Sequence, residues 1–546
     1  MALLMLLFCS CEKELKEVVY SDFTTSDFFK DVKSAEQALW GVYEVLAWDK
    51  LYGQHYLLYM PGNDTERFAR QDRGNPDDML ANYQIYEDNR YVGTIWQALY
   101  TGINRANVVI DKVKTLRDKT SVEADQKALD LVIGEARFLR GFMYFQLVRN
   151  WGDVPLKLSS VVVLDDLQSQ RTPKESVYQQ IEKDLLAAIE VLPEASKVSN
   201  AAKINKGAAR GILARIYLSW AGFPVQDTSK FAKAAEQALA VVNSGEHALN
   251  PKIEKLSIGA PFDQPFPQVF KNLADKVYDL KESMWEIHFS FGIGTRFDAS
   301  TVGIWHGIIQ DTRSKYKRGD PRRYALPTFY DSFEVDDTLR RDWSISQFKI
   351  DKDDQFVAED RNRLRWGVGK FRRYLIQNPS PDNNFDVMNW PVIRYADVLL
   401  MLAESINETS ANGGTLPKGA TMDKAYEATN RVRRRARNLD PNLPNPTVDL
   451  KGGGGSDFRQ QIRNERKWEL CFENQRRHDL IRWGNLVEAI KATGEAMAKA
   501  KYTWPHAYFP AKNIEDKHVL LPIPFAAEIS QNPDILKTDA SNNGYR

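Results

Sequence analysis

The sequence predicts a mainly α-helical protein in which paired helices form a scaffold, interrupted by a loop-rich insert that carries short strands. Three observations lead to this class. Segments with apolar residues three and four positions apart follow one another along the first 249 residues. Small residues recur where paired helices would touch, which favours tetratricopeptide-like stacking although no strict 34-residue repeat is present. Between residues 250 and 389, glycine, proline and aromatic residues become frequent and the helical periodicity fades.

Helical periodicity marks eight segments in order along the chain. They cover residues 34–48, 92–113, 124–150, 176–192, 203–220, 231–243, 392–407 and 423–437. Inside the insert, strand-like runs occur at residues 284–291 and 364–374. Residues 351–355 loosely resemble a calcium loop, but Phe356 replaces the required glycine, so a solvated charged loop is predicted there.

A ninth helix is predicted for residues 457–484, which contain no proline and no glycine before Gly484. Its length corresponds to about seven turns, and Asp457 is a suitable N-cap. Glu465, Glu469 and Glu473 form one row at spacings of four. Such a row could bind metal ions in a bundle, but those sites normally add a Glu-x-x-His motif from a partner helix, and no predicted helix carries one. A partly buried ion-pair network is therefore the favoured interpretation.

Composition and motifs argue against several functions. The chain has 74 Lys plus Arg against 73 Asp plus Glu, so no overall charge favours nucleic acid. Its seven histidines are scattered, and no hydrolase, nucleotide-binding or dinucleotide-binding motif occurs. We expect no enzyme, no catalytic residue, no metal and no cofactor. A glycoside hydrolase stays as a less favoured alternative, because its two carboxylates can be distant in sequence.

The N-terminus predicts export. Residues 1–8 form an apolar run too short to span a bilayer but suited to a signal peptide. The following Cys9-Ser10-Cys11 resembles a bacterial lipobox, with Cys11 as the lipidated residue, although Phe8 stands where leucine is usual. Cys471 would then be the one thiol of the mature chain, and core packing is its expected role.

The segment 457–484 also resembles the signature of the SusD/RagB family. The matching positions are Ile462, Glu465, Arg466, Glu469, Leu470, Phe472, Glu473, Arg476, Asp479, Leu480, Arg482, Trp483 and Gly484. Residues 135–156 and the tail from residue 519 are similar to the family as well. Of the thirteen positions, eight are expected to be structural: Glu465, Arg466, Glu469, Glu473, Arg476, Asp479, Arg482 and Trp483.

The family consists of surface lipoproteins of Bacteroidetes-type bacteria that capture nutrients beside a TonB-dependent transporter. The resemblance therefore implies a lipid-anchored protein on the outer membrane, facing outward, with a SusC-like TonB-dependent partner. It also implies the organisation of the chain. Residues 1–11 are the signal peptide with lipidated Cys11 and residues 12–30 a tether. The remainder is one composite domain, made of a helical-repeat part (31–249), the insert (250–389) and a C-terminal helical part with the tail (390–546).

The aromatic content suggests the ligand. Trp, Tyr and Phe make up 11% of the chain, and flat rings stack on the apolar faces of sugars. Two loop regions combine rings with polar groups for hydroxyls. The candidates are Asp64, Arg67, Arg70, Tyr83 and Tyr86 in the first region, and Phe291, Arg296, Trp305, Tyr316, Trp343, Arg365 and Trp366 in the insert. Trp40, Trp96, Trp220, Trp468 and Trp483 lie on helical faces and are expected to be packing residues.

The leading hypothesis is a glycan-binding lipoprotein that captures oligosaccharides or polysaccharides and passes them to the transporter. The same fold binding a peptide or another nutrient is the alternative.

Overall fold

The computed structural model describes residues 28–69, 75–160, 169–252, 265–290, 299–359, 362–377, 382–452, 454–502 and 508–546. Cys11 and most of the predicted tether lie outside these ranges, as do Arg70, Phe291 and Arg296. Across the described ranges, no helix is long and apolar enough to cross a membrane.

Among the residues described before the insert there are seven α-helices, in agreement with the predicted helical scaffold. They are α1 (Val32–Ala47), α2 (His55–Leu58), α3 (Arg90–Lys119), α4 (Glu123–Trp151), α5 (Lys174–Val191), α6 (Lys206–Ala221) and α7 (Lys230–Ser244). Helix α4 packs between α3 and α5, and α6 pairs with α7. Small residues allow the close approach: a Cβ on Gly102 would lie 2.3 Å from the Met143 sulfur, and one on Gly141 would lie 2.4 Å from Leu185.

Side-chain caps set where these helices begin. The Asn89 side chain accepts hydrogen bonds from the backbone N–H groups of Tyr91 and Val92 in the first turn of α3, at 3.0 and 3.2 Å. The Asn205 side chain accepts one from the Ala208 N–H at 2.9 Å. This second cap explains why α6 begins at Lys206 rather than at the predicted residue 203.

In its described residues, the insert has four short α-helices and most of the strands. The helices are α8 (Pro265–Asp275), α9 (Val302–Trp305), α10 (Pro327–Tyr330) and α11 (Thr338–Ser344). The strands are β1 (Glu66–Phe68), β2 (Ser283–Ile287), β3 (Arg323–Ala325), β4 (Ile345–Ser346), β5 (Phe348–Ile350), β6 (Phe356–Ala358), β7 (Gly367–Val368) and β8 (Trp390–Arg394). They form three antiparallel sheets, with strand orders β1-β3-β7-β4, β2-β8 and β5-β6. Strand β1 lies in the first predicted ligand-binding loop region, and its pairing with β3 joins that region to the insert.

After the insert, the part of the chain that the structure describes has six further α-helices: α12 (Tyr395–Ala411), α13 (Met422–Ala436), α14 (Gly455–Glu469), α15 (Arg476–Arg482), α16 (Leu486–Lys499) and α17 (Pro510–Asn513). Helix α12 packs against α7, α13 and α14, so the C-terminal helices continue the scaffold. The helix predicted from residue 392 begins only at Tyr395, because the residues before it pair with β2.

The prediction of one continuous helix over residues 457–484 is wrong. Helix α14 ends at Glu469, and α15 begins at Arg476 after a turn in which Phe472 and Asn474 have φ angles of 64° and 57°. The Glu469 carbonyl accepts hydrogen bonds from Lys370 Nζ at 2.7 Å and from Arg394 at 3.2 Å. Buried cations from distant parts of the chain thus satisfy the last carbonyl of α14, which otherwise needs a helical partner.

The predicted packing role holds for most of the five tryptophans. Trp96, Trp220 and Trp468 are buried, and Trp483 packs against the core. Trp40 is different, since 44% of its surface is exposed. Helix α1 buries Leu39 and Val42 on its inner face, and this leaves Trp40 at the edge of that face.

Candidate functional site

The carboxylates of the signature segment form a buried ion-pair network. Glu469 accepts hydrogen bonds from Arg394 at 3.0 Å, Arg435 at 2.5 Å and Arg340 at 3.2 Å. Glu465 is paired with Arg340 at 2.6 Å and Arg433 at 3.2 Å. Glu473 is paired with Lys370 and Arg394, both at 2.7 Å. Every carboxylate of the row is bound by cations, so the row is built as structural support.

Three further signature residues, Arg466, Asp479 and Arg482, form a second set of ion pairs. Arg466 binds Asp397 at 2.8 Å and Asp479 at 3.0 Å. Arg482 binds Asp479 at 2.8 Å and also Glu404, whose carboxylate accepts the Trp483 indole N–H at 2.7 Å. These pairs fix α15 against α12 and leave few charges for a ligand.

Cys471 and the Glu515-x-x-His518 motif, which could be read as a nucleophile and as metal ligands, both make structural contacts inside the protein. The Cys471 thiol is buried against the Trp468 carbonyl at 3.3 Å, and burial raises its pKa to about 11. The Glu515 backbone N–H donates to His518 Nδ1 at 2.8 Å, which caps a short helical turn. His306 Nε2 lies 2.8 Å from the Phe472 carbonyl, in the turn between α14 and α15.

Several predicted ligand residues are engaged inside the protein. Arg476 forms two 2.8 Å hydrogen bonds to the Asp64 carboxylate. Tyr83 is 2% exposed, and its hydroxyl donates to the Gly62 carbonyl at 2.6 Å. Arg67 donates to the Leu364 carbonyl at 2.5 Å and stacks on Tyr324. These three residues shape the loop and its contact with the insert, and Tyr83 offers no ring face to a ligand.

Two insert tryptophans are buried as well. Trp343 lies under the Arg372 guanidinium, whose central carbon is 3.8 Å from the ring centroid. Trp366 donates its indole N–H to the Glu359 carbonyl at 3.0 Å. Both rings are buried by the packing of the short strands around them. Sequence composition alone does not reveal this burial.

The remaining candidates reach solvent at separate places. Tyr86 is 53% exposed and lies in the loop before α3, and the backbone carbonyl of its neighbour Glu87 accepts the Phe525 backbone N–H at 2.8 Å. Trp305 is half-buried beside Arg322, at 4.1 Å from ring centroid to guanidinium carbon. Arg365 is exposed and lies 4.0 Å from Glu359.

One predicted residue, Tyr316, belongs to an aromatic surface around the β5-β6 hairpin. Tyr316, Phe348, Phe356 and Tyr374 make up this hairpin aromatic cluster. Phe356 lies 5.3 Å from Phe348, 5.2 Å from Tyr374 and 6.4 Å from Tyr316 between ring centroids. Phe356 is 49% exposed, and all three residues of β6 face solvent. The three neighbouring rings therefore support the Phe356 ring in a position where about half of it faces solvent.

Hydrogen bonds hold the hairpin and the Tyr316 loop in place. The Asp351 carboxylate accepts the backbone N–H groups of Asp353 and Gln355, both at 2.9 Å, which closes the turn between β5 and β6. The Asp311 backbone N–H donates to the Ile350 carbonyl at 3.0 Å, so the Tyr316 loop is bound to β5.

Charged groups border the hairpin aromatic cluster. Arg372 donates to the Tyr374 hydroxyl at 3.0 Å and lies over Phe348 at 5.3 Å. Lys315 lies 4.8 Å from the Tyr316 ring centroid and 3.6 Å from the Asp354 carboxylate. Arg372 is itself buried and supports the rings from below. Rings beside the accessible Lys315 ammonium and Asp354 carboxylate suit a ligand with both apolar faces and hydroxyls.

Sequence reasoning missed Phe348, Phe356 and Tyr374. A usable signal was present for one of them, because Phe356 and Val357 are apolar residues in an otherwise charged stretch, DKDDQFVAED. An apolar pair in such a stretch indicates either a buried strand or an exposed binding surface.

Fold and surface together define a helical-pair scaffold whose insert presents aromatic rings to solvent. Two family models match this chain. The SusD family model matches residues 288–545, and a model described as starch-binding and associating with the outer membrane matches residues 24–218. The chain belongs to the SusD/RagB family, which confirms the resemblance stated from the sequence.

Individual proteins agree with this assignment. The chain is 25% identical to SusD-like protein P25 of Formosa agariphila, over 98% of this chain and 97% of that protein. The crystal structure of a SusD homolog from Bacteroides thetaiotaomicron is 29% identical, with a TM-score of 0.82 over 93% of this chain and 97% of that one. A laminarin-binding SusD-like protein shares the fold, at 22% identity and a TM-score of 0.64, over 92% of this chain and 98% of that one.

Proposed function

We propose that this protein is a non-enzymatic, lipid-anchored glycan-capture protein on the outward face of the outer membrane. It binds oligosaccharides or polysaccharides and delivers them to a SusC-like TonB-dependent transporter for nutrient uptake. Cys11 carries the lipid anchor. The observation on which the proposal rests is the hairpin aromatic cluster, with Phe356 half exposed at its outer edge.

The physical basis is the match between the cluster and a sugar. A pyranose ring has an apolar C–H face that packs against an aromatic ring, while its hydroxyls need hydrogen-bonding partners. The cluster supplies rings from Phe356 and Tyr316, and the side chains of Lys315 and Asp354 border it. Capture requires no bond cleavage, so this arrangement needs no general acid or nucleophile.

The names of related proteins support glycans as the ligand class. One matching family model is described as starch-binding, and one structural neighbour as laminarin-binding. Starch and laminarin therefore belong in the first panel of test ligands, together with acidic polysaccharides. The competing possibility is that the same apolar surface binds a peptide. This alternative gains support if no glycan in the panel binds the protein.

The test is affinity electrophoresis of the soluble chain lacking residues 1–11, through gels that contain the individual polysaccharides. We expect one glycan to retard the protein and to be recovered at its original length. Phe356→Ala should weaken that binding by about tenfold, because one stacked ring contributes about 0.5–1.5 kcal/mol beyond its buried area. Thermal unfolding should stay close to wild type, since Phe356 is 49% exposed.

Phe525→Ala is the matched control, because Phe525 is 45% exposed and lies in the C-terminal tail. It should bind as wild type does. A shortened glycan would identify a hydrolase and contradict capture without cleavage. No retardation by any glycan would direct the search to peptides, and unchanged binding by Phe356→Ala would move the site away from the hairpin.

A further inference from the structure

Helix α14 carries a row of basic side chains away from its buried glutamates. Arg459, Arg463 and Lys467 are four positions apart, so they follow one another along the helix surface. Glu465 is two positions from both Arg463 and Lys467, and residues at that spacing do not face each other on a helix. Like charges four positions apart destabilise a helix. The row therefore needs negative charge from other elements or from a ligand.

Of these three cations, only Arg459 has an ion-pair partner among the described residues. It binds the Glu408 carboxylate through two hydrogen bonds, at 2.6 and 2.8 Å. Arg463 and Lys467 form no hydrogen bond and no ion pair with the part of the chain that the structure describes. Of their side-chain nitrogens, the only one that is both buried and without a partner is Nε of Arg463. The Lys467 ammonium and both terminal nitrogens of Arg463 are therefore accessible to solvent.

The carboxylates around Arg463 are already bound. Glu404 and Glu408 act on its charge, and Glu408 is bound as described above. Glu404 accepts hydrogen bonds from Arg482 through both oxygens and from the Trp483 indole N–H. The Arg463 guanidinium lies over the Trp483 ring, with 4.7 Å between its central carbon and the ring centroid. An aromatic ring attracts a guanidinium but carries no net charge, so Arg463 keeps an unmatched positive charge.

Lys467 is in a similar position one turn further along α14. The carboxylate of Asp64 acts on its ammonium, but Arg476 binds that carboxylate through two hydrogen bonds of 2.8 Å. Burial lowers the pKa of Lys467, and repulsion by Arg476 lowers it further. A partly buried charge without a partner is unfavourable. An oxyanion next to Lys467 would therefore be bound with a gain in free energy.

The two unmatched charges define the class of ligand. Side chains four positions apart on a helix have Cβ atoms about 5–6 Å apart, so one oxyanion can reach both cations. Guanidinium and ammonium groups form strong hydrogen bonds with the oxygens of carboxylates and other oxyanions. A neutral sugar would leave both charges unmatched. An extended acidic surface would need a longer basic row, and Arg459 is already paired.

We propose that Arg463 and Lys467 bind a carboxylate or sulfate group of an acidic glycan. The proposal rests on the glycan-capture function and specifies an anionic substrate. Neither residue belongs to the hairpin aromatic cluster, so the two residues add a charged contact to the apolar one. Two contacts on one polysaccharide raise its overall affinity above that of either contact alone.

The test is affinity electrophoresis of the soluble chain lacking residues 1–11 at a fixed ionic strength. Polygalacturonate and alginate present carboxylates, while dextran sulfate and κ-carrageenan present sulfates. Each polymer is compared with its neutral counterpart, which is the carboxyl-reduced polymer, dextran or desulfated κ-carrageenan. We expect at least one acidic polymer to bind with a dissociation constant at least tenfold lower than that of its neutral counterpart. The identity of that polymer shows whether the bound group is a carboxylate or a sulfate.

A double variant tests the two residues. Arg463→Gln with Lys467→Gln should weaken binding of the active polymer by at least tenfold, because both charges are removed. The matched control is Lys112→Gln with Lys183→Gln, which removes two exposed positive charges from α3 and α5 and should bind as wild type does.

Thermal unfolding without glycan separates binding from a structural role. The midpoint of the Arg463→Gln, Lys467→Gln variant should be at or above that of wild type, because the repulsion between like charges on α14 is removed. If the double variant does not fold, Lys467→Gln alone decides the question, with an expected loss in affinity of at least threefold.

Several outcomes would overturn the inference. They are equal binding of acidic and neutral polymers, equal losses in the double variant and the matched control, and no binding of any acidic polymer. In the last case, a higher thermal midpoint in sodium sulfate than in sodium chloride would indicate a site for a free oxyanion only. Glycan capture is judged separately, by the retardation of the wild type and its dependence on Phe356. Phe356-dependent retardation by a neutral glycan alone would keep capture and remove the anionic substrate class.

Discussion

Glu469 is completely buried and yet charged, because three guanidinium groups surround its carboxylate. Burial alone would raise the pKa of Glu469, but Arg435, Arg394 and Arg340 outweigh it and lower the pKa to about 2. The ordinary value for glutamate is 4.5. Because the folded-state pKa is lower than the unfolded one, the carboxylate stabilises the fold above pH 4.5, and this contribution is lost as the pH falls toward 2.

We predict that Glu469→Gln lowers the free energy of unfolding at pH 7 by about 3–5 kcal/mol, because it leaves buried arginines without their counter-charge. Urea unfolding at several pH values measures the effect. The difference in unfolding free energy from wild type should shrink between pH 4.5 and pH 3. In this range the Glu469 carboxylate of the unfolded chain becomes protonated, so the stabilisation that its low folded-state pKa provides decreases.

The control for this substitution is Glu123→Gln. Glu123 pairs with Lys127 at the surface, where its side chain is 80% exposed, so this variant should differ from wild type by less than about 0.5 kcal/mol. A Glu469→Gln deficit that does not change with pH would show that packing, rather than charge, is the source.

At the scale of elements, the turn between α14 and α15 converts one expected helix into two. Asn474 occupies the left-handed region, where asparagine and glycine are tolerated and β-branched residues are strained. The turn directs α15 toward α12, where Arg482 meets Glu404. The sharp change in direction is therefore necessary for the second set of signature ion pairs.

We predict that Asn474→Val destabilises the protein by about 1–3 kcal/mol, because valine is forced into positive φ. Asn474→Gly should stay within about 0.5 kcal/mol of wild type, since glycine adopts this φ readily. Denaturant unfolding compares the two variants. Equal stability of the valine and glycine variants would contradict the left-handed conformation at this position.

Sequence alone could predict the helices but not the break between α14 and α15. Helical periodicity is local, so the helical segments were located to within a few residues at most ends. The break depends on Lys370 and Arg394, which lie 99 and 75 positions away from Glu469. Of the short β1-β3-β7-β4 sheet, only β7 falls in a predicted strand-like run, residues 364–374. The other strands and their pairing were missed for the same reason, because they are two or three residues long and pair across the chain.

The candidate site was predicted only in its general position. The insert was identified from its aromatic residues, and Tyr316 lies in the hairpin aromatic cluster. Trp343 and Trp366 are buried, and Trp40 is exposed, because burial is decided by which elements pack together. Composition identifies which rings are available but not which of them face solvent.

At the scale of the whole molecule, the insert and the C-terminal helices are held together by shared charges. Arg340 and Lys370 come from the insert, and Arg394 and Arg435 from the C-terminal part, yet all four bind the Glu465, Glu469 and Glu473 row. One hydrophobic core runs from Ala35 in α1 to Ile535 in the tail and includes insert residues such as Phe371. We therefore expect that neither part keeps its core or its charge pairing without the other.

We predict that differential scanning calorimetry of the chain lacking residues 1–11 shows one main transition that contains both parts. Glu469→Gln should lower the midpoint of this transition without splitting it, because the core still joins the two parts. Two separate transitions of comparable enthalpy would contradict this cooperative unit. Tryptophan fluorescence followed over the same range should change together with the heat signal.

The burial of Cys471 makes this protein convenient for site-specific chemistry. A chain that begins after residue 11 contains this single thiol. With its pKa at about 11 and its sulfur inside the core, Cys471 should be nearly inert to maleimide dyes in the native state. A cysteine introduced on the hairpin would then be the sole labelled position, so a fluorophore could be placed beside the captured ligand without altering the native sequence elsewhere.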